Sequence, residues 1–224
     1  AYKLHTVEAN LETPALPANV TSDPDFYKPW PEGAAGIDHF RSYSEMFTGE
    51  SVLATNPEYV WARRSGITAD LTRMSFPTKN GGWNGASVTQ KVIDAYCMVD
   101  GHSIDESSSE YPYSETGFTG EQKTFSGYRL NSGVYNMYAN REMRFYASVG
   151  FSECYWPMNS ATSSGHYNQT IKYYFDDPNG KSNNPVDHPP TGYVIKKYIH
   201  PSDAWEGTNA RRMDKAFAMI RYAY

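Results

Sequence analysis

The chain has 224 residues, a formal net charge of −5 with both signs mixed throughout, and 39% apolar residues, a count that includes 19 tyrosines. That balance offers no basic footprint for nucleic acid, and no run approaches the roughly 18 to 20 apolar residues a membrane span requires. The length allows a sizeable core, and residues 1–224 read as a single region.

Taken in order, Tyr2 to Pro31 carries Pro14, Pro17, Pro24, Pro29 and Pro31. Each proline removes a backbone donor and restricts the residue before it, so an extended surface segment is expected. The start Ala1-Tyr2-Lys3-Leu4-His5 lacks the basic and apolar regions of a signal peptide. Asp38 to Phe47 reads as a short helix with Phe40, Tyr43 and Phe47 on one face and Gly49 ending it. Pro57 to Ala62 alternates like a short strand, with Trp61 expected in the core. Thr68 to Gly85 reads as a loop.

Ser87 to Gly101 carries the strongest helix signal. Ser87 and Gln90 have capping-box spacing, Val92, Ala95, Tyr96 and Val99 form an apolar stripe, and Gly101 supplies the left-handed stop. Cys97 is expected there as a small buried residue. Ser103 to Gly127, rich in Ser, Thr, Gly and Glu, reads as a long surface loop, and Leu130 to Asn140 as holding a turn of helix. Strands are expected over Phe145 to Phe151, Gln169 to Phe175 and Thr191 to Ile199. Tyr155-Trp156-Pro157 reads as a loop, and Asp176 to Gly180 is strong turn chemistry. Asp214 to Tyr224 starts as a helix and stops without a cap, as if the chain continued. The fold class is therefore α+β and loop-rich, with short helices and a few short strands.

Chemistry-bearing motifs are few. The six histidines include no pair at i, i+4 and no H-E-x-x-H, so no metal is expected. Cys97 and Cys154 are far apart without C-x-x-C spacing, and whether they pair stays open. Asp176 to Gly180 lacks the alternating acids and final glutamate of a calcium loop and reads as a solvated turn. No nucleophile elbow, P-loop or dinucleotide fingerprint is present, so neither an enzyme nor a cofactor is expected.

Aromatics outside apolar runs say more. Trp30, Trp83, Trp156 and Trp205 all lie beside Pro, Gly, Asn or Glu. Flat rings held toward water can stack on sugar faces, while neighbouring amides fix hydroxyls. Trp83, Trp156, Tyr155, Trp30, Trp205 and Asn84 are accordingly the candidate ligand-binding residues.

Five stretches then resemble one family in its order. Ser87 to Gly101 (SVTQKVIDAYCMVDG) resembles the PTQ-(L/V)VDAYEM-x-DG stretch of SusD/RagB nutrient-uptake lipoproteins. Asn56 to Arg63 is similar to N-x-EVIWAR, Asn140 to Ser148 to NRDPRFYAS, Thr191 to Lys197 to TGY-x-x-KK, and Met219 to Ala223 to the opening of RYAE-x-LLNYAEA. Departures are Val88 where the motif has proline, Glu142-Met143 in place of Asp-Pro, and Tyr224 in place of glutamate. The resemblance implies the middle and C-terminal, ligand-facing portion of a SusD-like fold, truncated at both ends, whose tetratricopeptide-like helices lie mostly outside this chain. It further implies a non-catalytic protein at the outer-membrane surface that captures oligosaccharides or polysaccharides for a SusC-type TonB-dependent transporter. A lipid anchor absent from this chain would be its only tie to the membrane. Peptide capture and, less favoured, glycoside hydrolysis are the rival readings.

Overall fold

The computed structural model describes residues 2–51, 54–63 and 67–223. Its first helix, α1 (Ala18–Ser22), is a single turn inside the otherwise extended, largely exposed N-terminal segment. The second, α2 (His39–Thr48), starts and stops on local signals. The Asp38 carboxylate accepts from the Arg41 backbone N–H at 2.9 Å, and Gly49 ends the helix at φ 97°. Strand β1 (Tyr59–Arg63) follows, then α3 (Ala69–Ser75) and a 3-10 turn at Thr78–Asn80. The loop expected over Thr68 to Gly85 is thus partly helical, because Thr68 Oγ1 accepts from Leu71 N at 3.1 Å and caps α3.

The remaining elements are short. They are α4 (Gln90–Asp94), β2 (Lys123–Phe125), β3 (Tyr128–Leu130), a 3-10 turn at Asn136–Tyr138, α5 (Met143–Ser148) and β4 (Val149–Gly150). Then come β5 (Cys154–Trp156), β6 (Gln169–Ile171), β7 (Val194–Ile195), β8 (Ala204–Glu206), β9 (Asn209–Arg211) and β10 (Phe217–Arg221). The strands pair antiparallel in twos: β1 with β10, β2 with β3, β4 with β7, β5 with β6, and β8 with β9. This is the loop-rich α+β arrangement expected.

Several elements differ from expectation. The helix anticipated over Ser87 to Gly101 shrinks to the single turn α4. Thr89 takes the N-cap position, Ser87 Oγ has no partner, and the Gln90 amide turns to Asp94 at 2.7 Å instead of closing a capping box. Where the helix ends, buried Arg141 takes the carbonyls of Ile93 and Tyr96 at 2.6 and 2.8 Å. Cys97 is only half-buried; Cys97 and Cys154 are both free thiols. Most of the strand expected over Phe145 to Phe151 is helix α5, and the Tyr155-Trp156 loop is strand β5. The C-terminal helix is instead β10, held in register by Arg221 opposite Tyr59 and Phe217 opposite Arg63; Tyr224 falls outside the described residues. Trp61, expected inside, is 63% exposed on β1.

The main core gathers Phe76, Ile93, Phe145, Phe151, Trp156 and Trp205, and a smaller cluster of Met46, Phe47 and Tyr59 lies under α2. Many tyrosines join the interior rather than a wet cleft. Tyr128, Tyr138, Tyr146, Tyr155, Tyr173 and Tyr193 are all at most 9% exposed. Burial is tolerable where hydroxyls find partners: Tyr146 donates to Tyr138 O at 2.8 Å, and Tyr138 to Tyr193 at 3.0 Å.

Candidate functional site

The six candidate binding residues separate into three groups. Trp156 is fully enclosed and Trp205 is 4% exposed; both pack on Phe76, with ring centroids 5.5 and 5.4 Å away. Tyr155, 9% exposed, lies between Tyr128 at 6.0 Å and the Arg129 guanidinium at 4.7 Å. These three rings serve the core. The polar turn residues beside them reverse the chain, but the strands β5 and β8 decide which way the rings face.

Asn84 is also fully buried. It sits at φ 47°, and its amide donates to Thr78 Oγ1 at 3.1 Å and Asp187 O at 3.3 Å, so it shapes the 78–84 loop from beneath. Trp83 is half-buried, with the Arg73 guanidinium 4.4 Å over its ring; Arg73 is itself fixed by a 2.9 Å bond to Gly81 O. Trp30, 36% exposed, walls a separate cavity of 560 Å³ together with Ile37, His39 and Tyr43.

A second set of aromatics is more open than the six. Tyr167 is 50% exposed, Tyr174 45% and Phe175 64%. They flank polar side chains that join three segments. Lys79 Nζ meets Gln169 Oε1 at 3.1 Å, and Gln169 Nε2 donates to Tyr167 O at 3.2 Å. Asn179 accepts from Lys79 N at 2.9 Å and donates to Lys172 O at 3.1 Å, fastening the 78–80 turn to the 174–180 turn. That turn needs glycine at its close: a Cβ on Gly180 would lie 1.8 Å from Tyr174 O. The sequence holds one signal for this face, an aromatic pair, Tyr174-Phe175, directly before Asp176-Asp177-Pro178-Asn179-Gly180.

Chemically, such a face can stack on rings and donate to hydroxyls. The nearby Glu206 is poorly suited to proton donation. Hydrogen bonds from Ser163 N and Thr162 N, with Arg211 beside it, hold its carboxyl down at about 2, so it stays ionised. Among the described residues no three His, Cys, Asp or Glu side chains gather as a metal would need, and no helix is long and apolar enough to cross a membrane.

Comparison with known proteins then adds a family. The SusD family matches residues 57–223. Among solved structures, BT4246 is similar with a TM-score of 0.59 at 17% identity, over 82% of this chain and 30% of its own. A SusD-like protein, BF3747, from Bacteroides fragilis NCTC 9343 is similar with a TM-score of 0.54 at 20% identity, over 82% of this chain and 33% of its own. The chain therefore spans about a third of the length of the structures it matches, and at these identities the likeness establishes the fold. Among curated proteins none matches the chain.

Proposed function

The chain belongs to the SusD family, and from that premise we propose that it is the ligand-facing portion of a nutrient-binding protein that grips oligosaccharides without cleaving them. The whole protein would stand at the outer-membrane surface on a lipid anchor. It would pass its cargo to a SusC-type TonB-dependent transporter.

The observation that carries this reading is the exposure of the Tyr167, Tyr174 and Phe175 rings on segments tied together through Lys79, Gln169 and Asn179, with Asn183 on the same turn. Rings would stack on sugar faces while amide and ammonium groups read hydroxyls. Base stacking on aromatics is worth about 1–3 kcal/mol per ring, and a sugar face should give a comparable or smaller amount. Trp83, backed by Arg73, extends the aromatic surface in this proposal, and Trp30 offers a second contact at its own cavity.

Calorimetry of the full-length protein against defined oligosaccharides and a peptide panel tests the reading. Oligosaccharide binding lost in a Tyr167→Ala, Phe175→Ala double variant is the expected result. Binding of peptides alone would replace glycan by peptide capture, and release of reducing sugar over time would make the protein a hydrolase.

A further inference from the structure

A cavity of 320 Å³ lies between α2, the Ser126-Gly127 turn and the segment from Lys196 to Ser202. It shares no residue with the loop face. The turn is a tight β2–β3 hairpin, with Ser126 at φ 48° and Gly127 at φ 75°. Five acidic or basic side chains other than the phenol of Tyr128 line the space: Arg41, Glu45, Glu50, Lys196 and His200.

Four of these five are already paired. Glu45 meets Arg41 at 2.9 Å and His5 at 3.4 Å. Glu50 meets His200 Nε2 at 2.6 Å. His200 Nδ1 accepts from Ser202 N at 2.9 Å, which leaves the ring proton on Nε2, facing Glu50.

Lys196 is the exception. It is 5% exposed, its Nζ donates to Tyr146 O at a long 3.3 Å, and it stands 4.3 Å from the centre of the Tyr128 ring. Among the described residues no carboxylate pairs with it. Buried Lys215, by contrast, has Asp203 at 2.7 Å. An ammonium carries three donors, and among the described residues Lys196 gives one of them, to Tyr146 O. Burial brings its pKa down to about 8, which still leaves it mostly charged at neutral pH. A buried cation of this kind is costly unless an anion compensates it.

We propose that this cavity binds a small carboxylate-bearing ligand the size of one sugar ring, a hexuronate, with Lys196 pairing to the carboxylate. The volume is near the lower end of ligand pockets, which run from about 300 to 1,000 Å³. It corresponds to about ten waters at roughly 30 Å³ each, enough for one ring. Ser44 and Asn159, also in the lining, would supply polar groups for hydroxyls. The carboxylate follows from Lys196 alone; the choice of a sugar acid over other carboxylates rests on the nutrient-binding reading.

Calorimetry of the full-length protein at pH 7 with D-glucuronate, acetate and D-glucose tests this. Saturable glucuronate binding is expected, at least tenfold tighter than acetate, with glucose undetected. Lys196→Met keeps the side-chain volume and should weaken glucuronate at least tenfold without lowering the melting temperature. Asn159→Trp, which blocks the cavity at an exposed position, should do the same and carries the test if the methionine variant does not fold. No glucuronate binding by the unaltered protein, equal binding of acetate or glucose, or unchanged binding in a folded variant would overturn the proposal. Neutral-oligosaccharide retention by Lys196→Met, measured alongside, reports on the loop face separately.

Discussion

The Nζ of Lys215 lies 2.7 Å from Oδ2 of Asp203, and both side chains are fully buried. The same carboxylate accepts from His200 N at 2.8 Å and Met213 N at 2.7 Å, while Lys215 also donates to Met213 O at 3.0 Å. One ion pair therefore fastens the turn before β8 to the segment entering β10. Asp203→Ala leaves a buried ammonium and two backbone donors unpaired, and should cost about 3–5 kcal/mol in urea denaturation. Adding Lys215→Met should recover part of that loss, since it removes the stranded charge. A single-variant loss below about 1 kcal/mol, the range of a surface pair, would mean that water reaches the site.

Arg141 does related work without any carboxylate. It is fully buried, and its guanidinium donates to the carbonyls of Met137, Ile93 and Tyr96 at 2.9, 2.6 and 2.8 Å. Those carbonyls belong to the 136–138 turn and to the end of α4, so one side chain joins two distant segments. Lysine lacks the rigid fork that reaches three acceptors. Arg141→Lys should destabilise by about 2–4 kcal/mol through the acceptors it leaves unmet. Chemical denaturation checks this, and near-normal stability would show that a single ammonium suffices.

These two buried cations explain what the sequence made legible. Helix α2 could be read because Asp38 and Gly49 act on neighbours a few residues away. The helix expected through Gly101 could not, because Arg141 lies 48 residues from the Ile93 carbonyl it takes. Trp156 and Trp205 pose the same difficulty. Prolines and asparagines nearby announce turns, but Phe76, far away in the chain, determines that both rings point inward. Tyr174 and Phe175 were legible only as strand residues before a turn. Their exposure follows from Asn179 and Gly180 folding that turn back beneath them. The family motifs could be read in order because they are local signatures of helix, turn and strand. A binding face assembled from several loops leaves no comparable local pattern.

Buried and exposed aromatics should respond to truncation in opposite ways. Trp156→Ala removes a fully enclosed indole from the main core and should cost about 3–5 kcal/mol. Tyr167→Ala and Phe175→Ala remove rings that are half or more exposed, so stability should change by no more than about 0.5 kcal/mol each. Thermal melts together with oligosaccharide calorimetry separate the classes. The proposed face predicts that binding falls with the second pair of variants. A large stability loss for Phe175→Ala would place that ring in the packing instead.

The pH dependence of stability isolates Lys196. Its folded pKa of about 8 lies below its usual 10.5, so between those values the unfolded chain binds more protons than the folded one. The lysine therefore destabilises the fold fully below pH 8, and this penalty fades as pH rises toward 10.5. A shift of that size corresponds to a penalty on the order of 3 kcal/mol. Cys154 acts in the opposite sense, because burial raises its thiol to about 11 from 9.0. Deprotonation then favours the unfolded chain above pH 9, and buried Tyr128 and Tyr173, also raised, add to this above pH 10. A difference measurement removes these shared contributions. Urea denaturation of Lys196→Met and the unaltered protein should show the variant more stable at pH 7, with the gap narrowing at pH 8.5 and reduced to about a quarter at pH 10. A gap that stayed constant would mean that Lys196 does not change its charge in this range, and that a compensating group already holds it.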